Sequence, residues 1–191
     1  MREVELKAVV DDLATRRRKI EIAGAMLSFD GRIFDRRYDF PSRELSGRDE
    51  VLRVRRYDAP GFTKTFLDWK GPTEIRDAYK VREELTTPVD FESLEKILEK
   101  LGFELVGEID RQIAEYRLFG ATVRFEVYPR MDILVEVEGE PRDIEAAIES
   151  LGMPRGVFSS DRLAGFVAEF ERRTGVRAAL CERELSVKED N

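Results

Sequence analysis

The sequence predicts an α+β fold in which a closed antiparallel β-sheet carries helices on its outer face. Several segments alternate apolar with polar residues, which is the period of a β-strand. Charged residues recur at a spacing of two along these strands, where the interior of an ordinary barrel would be apolar. A third observation is that helix-type patterns with capping residues lie between the strand patterns.

Composition limits the classes of protein to which the chain can belong. Its 191 residues suffice for one domain with a substantial core, so residues 1–191 are expected to form a single domain. The formal net charge of −7 argues against nucleic acid or an anionic membrane as a partner. The sequence shows no apolar run of membrane-spanning length and no signal peptide, so we expect a cytoplasmic protein.

Two residue types are scarce, and their scarcity restricts the chemistry. The chain contains no histidine, which excludes nucleophilic mechanisms of the Ser/His and Cys/His kinds. Its single cysteine, Cys181, excludes an internal disulfide and a multi-cysteine zinc site. Carboxylates, Lys, Arg, Tyr and bound metal remain, and any metal site is expected to use oxygen ligands.

Four segments are predicted as helices. Asp90 can cap a helix that ends at Gly102, and Pro141 opens a helix that ends at Gly152. Ser160 can cap another, which carries apolar residues on one face. A weaker helical pattern covers residues 11–23.

Charge on one face of the strands is the main functional signal. The first strand, residues 2–10, places Glu3, Glu5 and Lys7 on one face and apolar residues on the other. Alone, this pattern is typical of a sheet with one solvated face. The same alternation returns later in the chain, in Arg53 and Arg55, Arg82 and Glu84, and Glu136 and Glu138. A closed sheet with these faces inside would have a charged lumen.

The mixture of charges predicts the ligand of such a lumen. Crowded carboxylates are unfavourable without a divalent cation, and buried Arg and Lys side chains need a polyanion. A triphosphate with Mg²⁺ or Mn²⁺ meets both needs, because its oxygens accept forked hydrogen bonds from Arg and these hard ions prefer oxygen ligands. An apolar-ligand barrel of the lipocalin type is disfavoured, since it would carry apolar residues on these faces.

Short motifs along nearly the whole chain resemble those of the CYTH superfamily, the triphosphate tunnel metalloenzymes. Glu3-Val4-Glu5-Leu6-Lys7 is similar to the family's amino-terminal Glu-x-Glu-x-Lys signature. The later motifs follow in the family's order: Asp35-Arg36-Arg37-Tyr38-Asp39-Phe40-Pro41, Leu52-Arg53-Val54-Arg55, Trp69-Lys70-Gly71-Pro72, Arg82-Glu83-Glu84 and Val135-Glu136-Val137-Glu138. The resemblance implies an eight-stranded antiparallel β-barrel, the triphosphate tunnel, with helices packed outside.

The resemblance also implies roles for individual residues. The catalytic candidates are Glu3, Glu5 and Lys7. The metal ligands are expected to be Glu3, Glu5, Glu126, Glu136 and Glu138, although relatives often carry aspartate where this chain has Glu126. The phosphate-binding residues are expected to be Lys7, Arg53, Arg55, Lys70, Arg82, Arg111 and Arg124. Arg111 lies two positions further from the next tyrosine than in relatives, and Arg124 could equally form a surface ion pair.

The implied function is metal-dependent chemistry on a small-molecule triphosphate: ATP, thiamine triphosphate or tripolyphosphate. Lys70-Gly71-Pro72 favours the class IV adenylate cyclase branch, which converts ATP to cyclic AMP and pyrophosphate, over a triphosphatase. The alternative is a non-catalytic module that binds polyphosphate or nucleotide, and homodimerisation stays open. Phe66, Trp69 and Phe125 are expected to pack the barrel rather than stack on a base.

Overall fold

The fold is known from a computed structural model that describes residues 2–185. The strands are β1 (Arg2–Val9), β2 (Met26–Asp39), β3 (Val51–Ala59), β4 (Phe62–Lys70), β5 (Glu74–Arg76), β6 (Tyr79–Pro88), β7 (Glu104–Leu118), β8 (Ala121–Val127) and β9 (Leu134–Glu138). The helices are α1 (Leu13–Ile22), α2 (Glu44–Gly47), α3 (Phe91–Lys100), α4 (Pro141–Leu151), α5 (Leu163–Thr174) and α6 (Glu182–Leu185). Over the described range, none of these helices is long and apolar enough to cross a membrane.

The sheet closes on itself. Its strands follow the order β1-β9-β8-β7-β2-β3-β4-β6, and β1 pairs with β6 as well as with β9. All of these pairings are antiparallel, and the short β5 pairs with β6 outside the closed ring. The predicted α+β fold and the eight-stranded antiparallel barrel are therefore confirmed.

The main apolar core lies outside the barrel, beneath α4. Ile144, Ala147, Ile148 and Leu151 of this helix are buried against outward-facing residues of β1, β8 and β9. Burying one such aliphatic side chain stabilises the fold by about 1.5–3 kcal/mol. Smaller clusters lie under α3 and α5. Because the apolar faces are used outside, the alternate residues of the same strands must point into the lumen.

All four predicted helices are present. The carboxylate of Asp90 accepts a hydrogen bond from the Ser93 backbone N–H at 3.0 Å at the start of α3. Pro141 opens α4, Gly152 follows its end with a φ of +64°, and α1 lies within residues 11–23. The cap assigned to Ser160 is wrong, since α5 begins only at Leu163 and Arg162 is the residue that precedes it.

The late start of α5 has a tertiary cause. The backbone of Ser159 exchanges two hydrogen bonds with that of Lys7, at 2.9 and 2.8 Å. This bridge to β1 holds the chain extended at Ser159, and Arg162 is also extended, so α5 begins only after Arg162.

Candidate active site in the barrel lumen

The structure places the predicted residues on the inner face of the barrel. Most of them are buried: Glu3, Glu5, Lys7, Arg53, Arg55, Arg82, Arg111, Arg124, Glu126 and Glu136. Lys70 and Glu138 are half-buried. Charged side chains from several strands therefore lie in one enclosed space, as the strand alternation indicates.

Glutamates and lysines meet in one part of this lumen. Both carboxylate oxygens of Glu3 accept hydrogen bonds from Lys70 Nζ, at 2.7 and 2.9 Å. Lys7 Nζ lies 2.9 Å from Glu5 Oε1 and 2.5 Å from Glu136 Oε2. Lys80 also pairs with Glu5. The lysines are ammonium point charges on flexible stems, so these contacts can change when a ligand enters.

Glu138 differs from its neighbours because it has no ion-pair or hydrogen-bond partner for its side chain among residues 2–185. Its backbone lies opposite that of Glu5 in the pairing of β1 with β9. Burial, followed by the charges of Glu136, Glu3 and Glu5, raises the pKa of Glu138 to about 7. By contrast, burial of Glu3 is outweighed by the Lys70 ammonium, and the pKa of Glu3 falls to about 2.

Aspartates and arginines form a second group. Asp35 accepts two hydrogen bonds from the Arg55 guanidinium, at 2.6 and 2.7 Å, and a third from Arg111 at 3.0 Å. Asp68 accepts two from Arg53, at 2.9 and 2.6 Å. Burial alone would raise the pKa of Asp35, but the surrounding arginines hold it well below its usual range.

The remaining inner residues extend these two groups. Glu126 is fully buried and accepts hydrogen bonds from Arg111 at 2.9 Å and from the Tyr128 hydroxyl at 2.7 Å. Arg124 lies 2.7 Å from Glu115 and 2.8 Å from Glu136. Since Arg124 is buried, the reading of it as a surface ion pair is wrong.

Arg82 has a different environment from the other predicted cations. Its guanidinium donates to the backbone carbonyl oxygen of Gly71 at 2.8 Å and to that of Asp49 at 3.0 Å. These contacts hold the segment after β4 and the segment before β3 beside β6. Glu84 accepts a hydrogen bond from Lys70 at 3.0 Å and lies 3.6 Å from Arg53.

The lumen opens into a cavity of about 770 Å³. Six of the predicted residues line it: Glu3, Arg53, Arg55, Lys70, Arg124 and Glu138. Glu136 connects to these residues through Arg124. Lys7 in turn pairs with both Glu136 and Glu5. The cavity wall therefore combines carboxylates with cations, which is the pairing that a metal-bound polyanion requires.

Comparison with known proteins identifies the family. A model of the CYTH domain matches residues 1–151, most of the chain. The protein belongs to the CYTH domain family. Comparison of this CYTH protein with curated protein sequences finds no match.

Solved structures share the fold of this CYTH protein. PH1819 from Pyrococcus horikoshii OT3 is 25% identical, with a TM-score of 0.69 over 87% of this chain and 98% of the other. A candidate adenylate cyclase from Vibrio parahaemolyticus is 16% identical, with a TM-score of 0.73 over 87% and 97%. HpAC1 from Hippeastrum, a candidate adenylyl cyclase described as having a dominant triphosphatase activity, is 16% identical, with a TM-score of 0.64 over 87% and 96%.

Sequence reasoning missed four inner residues of this CYTH protein: Asp35, Asp68, Lys80 and Glu115. Asp35 lies inside a motif that was recognised, but it was given no role. Strand parity could have found two others, because Asp68 precedes Lys70 by two positions and Lys80 precedes Arg82 by two. Their partners could not be found in this way, since the ion pairs join strands whose register the sequence does not show.

The donor set of the CYTH lumen fits a hard divalent ion, since Glu3, Glu5 and Glu138 offer only carboxylate oxygens. Within residues 2–185, no three acidic, cysteine or histidine side chains already converge as a metal site. Instead, Lys70 forms an ion pair with Glu3, and Lys80 forms one with Glu5. The metal role of these residues stays a prediction.

Proposed function

We propose that this protein is a divalent-metal-dependent enzyme that acts on a triphosphate held in the barrel lumen. The observation that carries this proposal is the cavity in which Glu3 and Glu138 lie with Arg53, Arg55 and Lys70. Membership of the CYTH family supports it.

The cations of the cavity would bind the phosphates. Arg53 and Arg55 are held in place by Asp68 and Asp35 through Nε and Nη2, so their guanidinium groups are already oriented. Arginine matches phosphate oxygens with two parallel hydrogen bonds. Lys70 would turn from Glu3 to a phosphate oxygen, and this exchange would free the oxygens of Glu3.

The carboxylates would hold the metal. Glu3, Glu5 and Glu138 are the first candidates, and Glu126 and Glu136 extend the acidic set. When bound, Mg²⁺ or Mn²⁺ supplies charge neutralisation on the phosphoryl oxygens and orients the reacting groups. Glu138 carries no partner that would have to be displaced among the described residues.

The nucleophile decides between two reactions. Attack of a ribose 3′-hydroxyl on the α-phosphorus of ATP forms cyclic AMP and releases pyrophosphate. Attack of water on the terminal phosphorus releases orthophosphate. We place class IV adenylate cyclase chemistry first, because Lys70-Gly71-Pro72 resembles that branch. Hydrolysis is the second candidate, supported by the triphosphatase activity described for HpAC1.

Product analysis tests the proposal. Purified protein is incubated with ATP, thiamine triphosphate or tripolyphosphate, with Mg²⁺, with Mn²⁺ or with a chelator. We expect metal-dependent formation of cyclic AMP and pyrophosphate from ATP, or of orthophosphate. Binding of these triphosphates without turnover under any metal condition would contradict the proposal and support the non-catalytic binding module.

A further inference from the structure

One arginine on the inward-facing side of β2 has no ion pair within the described chain. Arg37 lies two positions after Asp35, and the pairing of β2 with β7 keeps its register between these residues, so both side chains share a face. Asp35 is buried in the lumen. Among residues 2–185, no hydrogen bond or ion pair joins the side chain of Arg37 to another residue. The buried arginines of the lumen each have at least one such partner: Arg53, Arg55, Arg82, Arg111 and Arg124.

The surroundings of Arg37 disfavour its positive charge. Arg37 lies directly opposite Arg53 in the pairing of β2 with β3. Residues in such positions have Cβ atoms about 4.5–5.5 Å apart, and like charges there are destabilising. Although Arg37 is exposed at the end of the barrel, the surrounding protein removes enough water from its guanidinium to lower the pKa, and the charge of Arg53 lowers it further.

The carboxylate of Asp35 attracts Arg37 but is already shared by other arginines. It accepts three hydrogen bonds from Arg55 and Arg111 and lies 3.7 Å from Nη1 of Arg53. The charges of Arg111 and Arg55 also lower the pKa of Arg37. Positive charge at this point of the barrel therefore lacks a counter-charge among the described residues.

Arg53 has a free N–H group on the same side. Its Nε and Nη2 donate to Asp68, whereas Nη1 points towards β2 and forms no hydrogen bond in the described part of the chain. Arg53 and Arg37 thus bring free guanidinium N–H groups from adjacent strands to one place. Two such groups suit an oxyanion, because each of its oxygens can accept hydrogen bonds from a guanidinium.

We propose that Arg37 is a further phosphate-binding residue, which binds, together with Arg53, the end of the triphosphate that lies away from the open side of the cavity. Arg53 lines the cavity and Arg37 does not, so Arg37 lies beyond Arg53 as seen from that side. This inference rests on the proposed function and adds to it a residue outside the phosphate-binding set predicted from the sequence. The ligand group is an inorganic phosphate oxyanion.

A binding experiment tests the inference independently of turnover. The affinity for tripolyphosphate is measured by calorimetry with Mg²⁺ for the wild type, Arg37→Gln and Arg37→Lys. We expect Arg37→Gln to weaken binding about tenfold, which is the loss expected for one hydrogen bond to a charged group. Arg37→Lys should recover part of the affinity, since an ammonium keeps the charge but cannot donate two parallel hydrogen bonds.

Stability without ligand separates this role from a structural one. In low salt, without phosphate or metal, Arg37→Gln should raise the midpoint of thermal unfolding, because it removes the repulsion by Arg53. Tripolyphosphate should then raise the midpoint of the wild type more than that of the variant. A residue that only holds the fold would show a lower midpoint when it is replaced.

Arg18→Gln is the matched control. Arg18 is an exposed arginine on α1, outside the barrel, and its side chain forms no hydrogen bond or ion pair with residues 2–185. The substitution removes the same charge and so measures the effect of net charge alone. We expect it to change the affinity by less than about twofold at physiological salt, where distant exposed charges are screened.

Three results would overturn the inference. Arg37→Gln could bind tripolyphosphate as tightly as the wild type, or Arg18→Gln could weaken binding equally. Arg37→Gln could also lose stability or fail to fold without ligand, which would show that Arg37 holds the barrel. In each case the proposed function would stand. If the wild type binds no tripolyphosphate with either metal, the proposed function is wrong and the inference with it.

Discussion

The lumen contains two regions that differ in how their carboxylates are held. In the arginine–aspartate region, Asp35 and Asp68 each accept two hydrogen bonds from one guanidinium. In the glutamate region, Glu3 is held by a single Lys70 ammonium, and Glu138 has no side-chain partner in the described chain. Both regions arise from the same inward alternation of charged residues. The first is built as a fixed frame, whereas the second can exchange its partners for a ligand.

The pKa directions separate Glu138 from the other carboxylates of the lumen, since neighbouring cations also lower the pKa of Glu3 and of Glu136. Arginines hold the pKa of Asp35 well below its usual range despite burial. Burial and neighbouring glutamates raise the pKa of Glu138 to about 7. The surroundings of Glu138 therefore disfavour its negative charge, which a divalent cation would stabilise.

The largest effect on stability is expected in the arginine–aspartate region. Asp35→Asn should lower the free energy of unfolding by about 3–5 kcal/mol, because it leaves buried arginines without their counter-charge. Urea denaturation measures this loss. The matched control is Glu169→Gln, which breaks an exposed pair with Arg172 and should change stability by less than about 0.5 kcal/mol. Similar losses of stability in Asp35→Asn and Glu169→Gln would contradict the view that the arginine–aspartate region stabilises the barrel.

The largest effect on activity is expected in the glutamate region. Glu138→Gln should reduce kcat at least about 100-fold. Mutation of residues that only hydrogen-bond to a metal's ligands already lowers metal affinity or activity by about 10- to 100-fold. Steady-state kinetics at saturating metal measures it, and circular dichroism confirms folding. Full activity in a folded variant would contradict the assignment of Glu138. We expect the same loss for Glu5→Gln, although this change also removes a partner of Lys7.

Arg53 connects the two regions, because it pairs with Asp68 and lines the cavity. Arg53→Ala should raise KM and lower kcat together, by about tenfold in kcat/KM, as a phosphate contact strengthens while charge develops. Steady-state kinetics with the substrate found by product analysis separates the two parameters. If Arg53→Ala changes stability but leaves KM and kcat unaltered, Arg53 stabilises the barrel and does not bind the substrate.

A smaller effect, of opposite sign, is expected for the stability of Glu138→Gln. The folded-state pKa of about 7 exceeds the ordinary value of 4.5, so the folded protein binds this proton more tightly than the unfolded chain. The wild type should lose stability as pH rises through this interval. Without metal, the variant should therefore be more stable than the wild type by about 1–2 kcal/mol at pH 8, a value discounted for the partial exposure of the side chain.

Thermal unfolding at pH 4 and pH 8 with a chelator measures this difference. At pH 4 the glutamate is protonated in the folded protein and mostly protonated in the unfolded chain, so the two proteins should unfold at similar temperatures. Mg²⁺ should then stabilise the wild type more than the variant at pH 8. An equal difference at both pH values would show that ionisation of Glu138 is not its cause.

Alternation along the strands predicted which charged side chains share a face, and the resemblance to the CYTH superfamily implied the barrel that encloses them. The sequence did not predict which carboxylates form the arginine–aspartate region. The partners of Asp35 and Asp68 lie on other strands, and their pairing depends on register. The cap assigned to Ser160 failed for a similar reason, since the bridge between Ser159 and Lys7 is tertiary.

The most direct test is a crystal structure with Mn²⁺ and tripolyphosphate, in which anomalous scattering locates the metal. We expect the Mn²⁺ peak to lie within coordination distance of Glu138 and of Glu3 or Glu5, with phosphate oxygens on Lys70, Arg53 and Arg55. Metal and phosphates bound together on the outer surface, with Glu138 facing an empty lumen, would contradict the account.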